Sequence, residues 1–309
     1  MNRPAMNHQA LQDTSLRYFL EVVQTGSVTE AAARLNVAPS AVSRHIARLE
    51  AELDTLLFER RARGMVPNAA GELLATHARR AWQDIERVAD EIQSLRGLKS
   101  GVVRLACTEG FAAEFVPGLI VDFQRQYQGI RFGLQVSRQA DVPEKVRQGE
   151  VDIGIGPERE PNSDITSAHL FDGPFMAVYP PGHPLAAQES LRWTDLKPYP
   201  VIGLQGQFTE RLAQDLRAAD PDFQFVPSTE VAYMSTALSM VQAGLGVALC
   251  IPYAAPLVTL YGLSMMPLGQ PEVRRSFEVF TRRGRSLSPL AQAFLDDIGP
   301  KIRGMPYLG

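Results

Sequence analysis

The chain has 309 residues, of which 45% are hydrophobic and 21% are charged, and its formal net charge is −3. This length can bury the cores of two or three compact domains, and no run of about 18 uncharged apolar residues indicates a membrane span. Only two cysteines are present, Cys107 and Cys250, which is too few for a disulfide framework and predicts reduced, buried thiols. A redox pair is the alternative. The N-terminus lacks the apolar segment of a secretory signal, so a cytoplasmic location is expected.

Residues 27–50, SVTEAAARLNVAPSAVSRHIARLE, contain two short helical patterns joined by a tight turn. Ser27 and Glu30 have the spacing of a capping box, which predicts a helix start. Asn36 tolerates the left-handed conformation that ends a helix, and Pro39 suits the first turn of the next helix. The pattern therefore predicts a helix-turn-helix.

The second of these helices has two different faces. Its apolar residues recur at steps of four and three and predict one buried stripe, formed by Val42, Ile46, Leu49 and Leu53. The other face is small, hydroxylic and basic, and contains Ser40, Ser43, Arg44, Ala47 and Arg48. Such a face can approach the major groove of double-stranded DNA and donate hydrogen bonds to bases and phosphates, which predicts a recognition helix. The alternative is a helical hairpin with a solvated face; His45 is expected to contact DNA or solvent.

The segment FERRARGMVPNAAG places Arg60, Arg61 and Arg63 around Gly64. This arrangement predicts a basic hairpin, or wing, that contacts the DNA backbone or minor groove beside the recognition helix. A solvated charged loop is the alternative. Asn68 is expected to cap the helix that follows. The residues predicted to contact DNA are Ser27, Ser40, Ser43, Arg44, Arg48, Arg60 and Arg61.

After the wing, apolar residues recur in a heptad seam. They alternate at steps of four and three, at Leu74, Ala78, Ala81, Ile85, Val88, Ile92 and Leu95. A helix that continues to about residue 98 would be roughly 45 Å long, more than a small domain needs for its own core. The seam predicts a homodimer that presents two recognition helices to a two-fold symmetric operator. The alternative is a helix that lies along its own C-terminal domain.

The stretch LRYFLEVVQTGSVTEAAARLNVAPSAVSRHIARLEAELDTLLFERRARGMVPNAAG resembles the N-terminal signature of the LysR-type transcriptional regulators, including AVSRHI…LE and LFER. The resemblance covers nearly the whole chain. It implies an α/β protein with an N-terminal all-α winged helix-turn-helix at 1–67, a dimerising linker helix at 68–98 and an effector-binding domain at 99–309. Asn68 stands where the family usually has threonine, and asparagine is an equally good N-cap. The family pattern also implies a homotetramer.

Beyond residue 100, strand and helix patterns alternate, which predicts a doubly wound domain with a parallel sheet. The resemblance implies two lobes like those of periplasmic binding proteins. Lobe I is predicted at about 101–170 and 273–303, and lobe II at about 171–272. Ligands of such sheets lie beyond the carboxyl ends of the strands, so a small-molecule effector is expected between the lobes, where closure would move the DNA-binding arms.

Polar residues follow several of these strands. By resemblance, Thr108 takes the family's usual hydroxyl position in the effector cleft, Ser137 is a second contact, and residues 205–208 form the wall of lobe II. The full effector-binding set is Thr108, Glu109, Ser137, Arg138, Gly156, Gln205, Phe208 and Tyr233. One hypothesis is a zwitterionic effector, whose carboxylate contacts Arg138 and a helix N-terminus and whose ammonium contacts Glu109 and an aromatic residue such as Tyr233. The alternative is that Glu109 caps a helix end.

Catalysis finds little support in the sequence. The five histidines show no metal-ligand spacing, no G-x-S-x-G elbow is present, and the GIG and GLG triplets lack the last glycine of a dinucleotide fingerprint. We therefore expect no enzyme, cofactor or metal. The remaining alternative to a regulator is a cytoplasmic solute-binding protein whose N-terminal region serves dimerisation rather than DNA binding.

Overall fold

The computed structural model describes residues 14–61, 64–94, 101–159, 164–221 and 224–303. The chain forms two compact units, residues 1–88 and 89–309. None of the described helices combines the length and the apolar character that a bilayer crossing requires.

The described part of the N-terminal unit contains helices and one hairpin. The elements are α1 (Thr14–Thr25), α2 (Val28–Leu35), α3 (Pro39–Glu52), β1 (Phe58–Arg61), β2 (Gly64–Pro67) and α4 (Ala69–Ser94). Helices α1, α2 and α3 pack around Phe19, Val22, Val42 and Leu49, all of which are fully buried. The predicted winged helix-turn-helix is confirmed. The boundary between the units falls inside α4, and the first turns of this helix, including Leu74, are buried in the N-terminal core.

The turn between α2 and α3 follows the local signals in the sequence. Asn36 ends α2 in the left-handed conformation with a φ of 55°, and Pro39 begins α3. At the start of α2, Ser27 Oγ accepts the N–H of Glu30 at 3.4 Å. The reciprocal half of the predicted capping box is replaced, because Ser27 N–H donates to Thr25 Oγ1 and the Glu30 carboxylate binds Arg34.

The wing is a short antiparallel hairpin held against the α1–α2 turn. Strand β1 pairs with β2 from Phe58↔Pro67 to Arg61↔Gly64, and Met65 N–H donates to Gly26 O at 2.8 Å. Gly64 has a φ of +120°, and a Cβ there would lie 2.4 Å from Gly26 O. Only glycine allows the backbones to approach this closely.

Asn68 connects the wing to α4. Its Oδ1 accepts the N–H of Gly71 at 2.9 Å, and its Nδ2 donates to Leu56 O at 2.8 Å. The prediction that Asn68 caps this helix is confirmed. The asparagine amide accepts and donates from two different atoms, whereas a threonine hydroxyl has one oxygen on a shorter side chain for both roles.

The described part of the C-terminal unit alternates strands and helices. Its first elements are β3 (Gly101–Cys107), α5 (Glu109–Ala112), α6 (Phe115–Gln126), β4 (Ile130–Val136), α7 (Asp141–Gln148), β5 (Ile153–Pro157) and β6 (Ile165–Pro174). They are followed by β7 (Met176–Tyr179), β8 (Leu191–Arg192), β9 (Val201–Leu204), α8 (Gln207–Ala219), β10 (Thr229–Val231) and α9 (Met234–Gln242). The last are β11 (Val247–Cys250), α10 (Ala255–Leu260), β12 (Ser264–Gln270), β13 (Arg274–Arg282) and α11 (Pro289–Arg303).

Two sheets define the two lobes. The sheet of lobe I has the order β4-β3-β5-β13-β6, and the sheet of lobe II has the order β10-β9-β11-β7-β12-β8. The chain passes from lobe I to lobe II between β6 and β7, after Pro174, and returns between β12 and β13. The first crossing therefore lies slightly beyond the predicted boundary at residue 170.

Both sheets are mixed, which corrects the prediction of a parallel sheet. Strands β3, β4 and β5 are parallel, but β13 runs antiparallel to β5 and β6. In lobe II, β7 is antiparallel to β11 and β12. Strands β7 and β13 each enter their sheet from the other lobe. A βαβ connection would make a strand parallel to its neighbour, but these two strands are not reached through such a connection.

Candidate nucleic-acid interface and ligand cavity

Helix α3 separates a buried stripe from an exposed polar face. Val42, Ile46 and Leu49 are buried, as the sequence predicts, whereas Leu53, the fourth member of the predicted stripe, is half-buried just after the helix. The side chains on the opposite side are exposed, and we call them the α3 outer face: Ser40, Ser43, Arg44, Ala47 and Arg48. This face presents hydroxyl and guanidinium donors with small residues between them, which suits close contact with a major groove.

The two arginines of the α3 outer face are held differently. Arg48 Nε lies 2.8 Å from Glu52 Oε1, one helical turn further along α3. Arg44 is exposed on the preceding turn. His45, expected to contact DNA or solvent, instead packs against α1. Its Nδ1 lies 2.9 Å from Ser15 Oγ and its ring packs edge-on against Tyr18, so His45 supports the angle between α1 and α3.

The other predicted DNA contacts lie at the start of α2 and on the wing. Ser27 is half-buried and caps α2. The backbone of Arg60 and Arg61 belongs to β1, whereas their side chains, like the whole of Arg63, lie outside the described residues.

The predicted heptad seam divides into two parts along α4. Leu74 and Ala78 are buried in the N-terminal core, whereas Ile85, Val88 and Ile92 are 62%, 46% and 61% exposed. We call these three residues the α4 stripe. Leu95 lies outside the described residues. Three large apolar side chains in a row on one exposed helix are characteristic of a contact surface.

In the C-terminal unit, a cavity of about 290 Å³ lies between the two lobes. On the lobe I side, β3 pairs in parallel with β4 so that Cys107 faces Val136, and the next residues, Thr108 and Ser137, lie at the same sheet edge. On the lobe II side, β9 pairs with β10 in the same way, which places Gln205 and Tyr233 beyond the strand ends. The structure thus brings together seven of the eight predicted effector residues: Thr108, Glu109, Ser137, Arg138, Gln205, Phe208 and Tyr233.

Gly156 is the exception. It lies on β5 beside Thr108, and a Cβ added to it would be 3.6 Å from Thr108 Cγ2. Gly156 is buried, and the following residue, Pro157, lines the cavity.

Both charged side chains that were predicted to contact the effector already have partners within the protein. Arg138 binds both carboxylate oxygens of Asp141, at 2.9 and 3.3 Å, and these hydrogen bonds raise the pKa of the Arg138 guanidinium above its ordinary value. Glu109 Oε2 accepts the backbone N–H of Ser235 at 3.0 Å. Ser235 lies in the first turn of α9, so Glu109 of lobe I caps a helix of lobe II.

The rest of the cavity lining is mostly apolar. The side chains that the sequence reasoning did not identify include Leu204, Met234, Ile251, Ala254 and Phe277. Ile251 directly follows β11, so the strand-end rule could have found it. Phe277 lies in the middle of the returning strand β13, and nothing in the local sequence indicates that it faces the cavity.

A winged helix-turn-helix with an exposed basic face, joined to a two-lobed domain with an internal cavity, defines the class of DNA-binding proteins that respond to a small ligand. Residues 14–72 match the family model of bacterial regulatory helix-turn-helix proteins of the lysR family, and residues 96–301 match that of the LysR substrate binding domain. The chain belongs to the LysR family of transcriptional regulators. It is a DNA-binding regulator with a C-terminal effector-binding domain.

Curated relatives span nearly the full length. The chain is 30% identical over 282 residues to the transcriptional dual regulator GltC of Bacillus subtilis, which covers 91% of this chain and 94% of GltC. It is 29% identical over 281 residues to the regulator YbhD of Escherichia coli, covering 91% and 89% of the two chains.

Solved structures share the fold. Full-length OxyR from Pseudomonas aeruginosa, solved as a variant, has a TM-score of 0.69 at 23% identity and covers 100% of this chain and 97% of OxyR. CbnR, solved in complex with its target DNA, has a TM-score of 0.69 at 18% identity and covers 92% of this chain and 97% of CbnR. The predicted fold class is confirmed by these neighbours.

Proposed function

We propose that the α3 outer face reads an operator in the major groove. Ser40, Ser43 and Arg44 contact base edges, and Arg48 contacts a phosphate in an orientation set by Glu52. This proposal is supported by the exposure of all four side chains on one face of α3, with the apolar stripe buried behind them. An arginine such as Arg44 can bind guanine with two hydrogen bonds. Arg48 has fewer donors left for a base, because Glu52 already binds its guanidinium.

Contacts to the DNA backbone fix the position of α3 in this proposal. Ser27, at the N-terminus of α2, donates its hydroxyl proton to a phosphate while its oxygen caps the helix. Arg60 and Arg61 of the wing bind the backbone or enter the minor groove. The anchoring of the wing to Gly26 supports this arrangement, because it ties β2 to the turn that carries Ser27.

The protein binds its operator as a homodimer that forms through the α4 stripe. Ile85, Val88 and Ile92 are large apolar side chains with wide exposure, and a second copy of α4 would bury them. Two such dimers associate into a homotetramer, on the pattern of the family. The domain limits that we propose are 1–67 for DNA binding, 68–98 for the linker helix and 99–309 for effector binding.

The cavity binds a small-molecule effector and does not transform it. Thr108, Ser137 and Gln205 supply polar contacts, and Phe208 and Tyr233 supply apolar and aromatic surface. The two charged groups of the cavity are already hydrogen-bonded to the protein, which suits orientation of a ligand rather than proton transfer. The protein is therefore a regulator rather than an enzyme, and acts in the cytoplasm, where its operator lies.

The observation that best supports this function is that α3 exposes a basic outer face while its apolar stripe is buried. The experiment is a fluorescence anisotropy titration of the full-length protein with the DNA upstream of its own gene, across a salt series. We expect specific binding that weakens as salt rises, because phosphate contacts release counterions. Equal affinity for this DNA and for an unrelated duplex of the same length would contradict the proposal.

A further inference from the structure

The electrostatic character of the cavity is set by two side chains, Glu109 and Arg138. Arg138 is largely exposed, with 60% of its side chain accessible, and both oxygens of Asp141 hold its guanidinium. Asp141 does not line the cavity. The ion pair with Asp141 offsets the positive charge of Arg138 and engages Nε and one Nη, which leaves fewer donors for an anionic ligand.

Glu109 is different, because its partner is neutral. It accepts one backbone N–H, from Ser235, and no other donor contacts it among the described residues. The hydrogen bond leaves the full negative charge of the carboxylate at the cavity wall. Its other oxygen, Oε1, is able to accept further hydrogen bonds from a ligand.

The same contact places a carboxylate of the protein itself at the N-terminus of a helix. The first turn of α9 presents the Ser235 N–H to this carboxylate, and a helix N-terminus favours an anion. In this chain the Glu109 carboxylate takes that position. A second carboxylate would have to displace Glu109 or lie beside a like charge, and both cost free energy.

We propose that the effector carries an ammonium or guanidinium group on a mostly apolar body, and that Glu109 selects it. This inference rests on the proposed function of the cavity as the effector site. The cation donates to Glu109 Oε1, and its body packs among Phe208, Phe277 and Tyr233. The exposed ring of Tyr233 also attracts a cation, whereas the Phe208 ring already has the Arg275 guanidinium 5.7 Å from its centroid. With Arg138 held by Asp141, the ligand gains little from a carboxylate, so a monocation is favoured over the zwitterion that the sequence alone suggested.

The test measures binding of matched probes to the full-length protein by isothermal titration calorimetry. One set is 2-phenylethylamine, 2-phenylethanol, 3-phenylpropionate and phenylalanine, and the other is hexylamine, hexanol and hexanoate. We expect at least one amine to bind about tenfold or more tightly than its neutral and anionic counterparts, since a charge-assisted hydrogen bond contributes this much.

Two variants assign the preference to Glu109. Glu109→Gln removes the charge but keeps an oxygen that accepts Ser235 N–H, so the amine should lose its advantage while the fold persists. Glu114→Gln makes the same change at an exposed acid outside this cavity and should leave the preference intact.

The inference is overturned if a carboxylate or phenylalanine binds as tightly as the amine, or if Glu109→Gln keeps the preference for amines. It is also overturned if no amine binds at up to about 10 mM, where millimolar affinities remain measurable. The same protein preparations are titrated with the upstream DNA. Loss of specific DNA binding contradicts the proposed function, whereas the ligand results bear only on the chemistry of the cavity.

Discussion

Glu109 of lobe I and Ser235 of lobe II are joined by a hydrogen bond of 3.0 Å between a carboxylate oxygen and a backbone N–H. Two residues after Glu109, Phe111 is fully buried and packs against Phe171 and Phe277 of lobe I and against Tyr253 of lobe II. The bond therefore ties Glu109 to the first turn of a helix in lobe II, beside an aromatic cluster that also joins the two lobes. Any ligand that opens or closes the cavity must change this contact.

Removing the carboxylate should loosen the connection between the lobes. Glu109→Ala is expected to lower the free energy of unfolding of the C-terminal domain by about 1–2 kcal/mol, because a hydrogen bond to a charged acceptor is lost at a half-buried position. Urea unfolding followed by tryptophan fluorescence measures the change. Glu109→Gln retains an acceptor and should lose less than half as much. If the alanine variant and the wild-type protein have the same free energy of unfolding, the contact does not stabilise the domain.

The cap at Asn68 should stabilise the junction of wing and α4. Asn68→Ala removes the acceptor for Gly71 N–H and the donor to Leu56 O, and we expect a loss of about 1–2 kcal/mol. Thermal unfolding monitored by circular dichroism measures it. Asn68→Thr restores an acceptor for the first turn and should recover most of the stability. A threonine variant as unstable as the alanine variant would argue against the capping role.

The α4 stripe should control the oligomeric state. Ile85→Asp combined with Ile92→Asp places two charges on the proposed contact surface, and we expect dissociation to smaller species. Analytical ultracentrifugation measures the mass. His77→Asp introduces a charge at an exposed position earlier on the same helix and serves as the control. If the double variant keeps the mass of the wild-type protein, the homodimer does not form through this stripe.

Both cysteines should be inert in the native protein. Cys107 and Cys250 are free and fully buried, which confirms the sequence prediction of reduced, packed thiols. Burial raises the pKa of the Cys107 thiol to about 12 and also raises that of Cys250, so the reactive thiolate is scarce at pH 7. A disulfide-exchange reagent such as DTNB should react with neither until the protein is unfolded. Rapid reaction of the native protein would contradict this packing.

The DNA-binding unit could be predicted almost entirely from local sequence. The end of α2 at Asn36, the start of α3 at Pro39 and the buried stripe from Val42 to Leu49 each follow from residue types a few positions apart. His45 was misplaced because its partners, Ser15 and Tyr18, lie on α1, about 30 residues earlier. No periodicity within α3 carries that information.

The ligand cavity was predictable only in part, because some of its contacts join residues that are far apart in the sequence. The strand-end rule located Thr108, Ser137 and Gln205, since parallel strands finish at the same edge. The rule could not show that the backbone N–H of Ser235, 126 residues from Glu109, would donate a hydrogen bond to the Glu109 carboxylate. The direction of β13, which brings Phe277 to the cavity, depends on the chain's return from lobe II.

The central claim, that the α3 outer face reads DNA and a paired α4 presents two copies of it, is tested most directly by selecting bound sequences from a random duplex library. The wild-type protein should enrich a two-fold symmetric motif. Arg44→Ala should lose preference at one position of each half-site and about 1–3 kcal/mol of binding free energy, while Arg48→Ala should weaken binding and keep the motif. Failure to enrich any motif, or an unchanged motif and affinity for Arg44→Ala, would contradict the account.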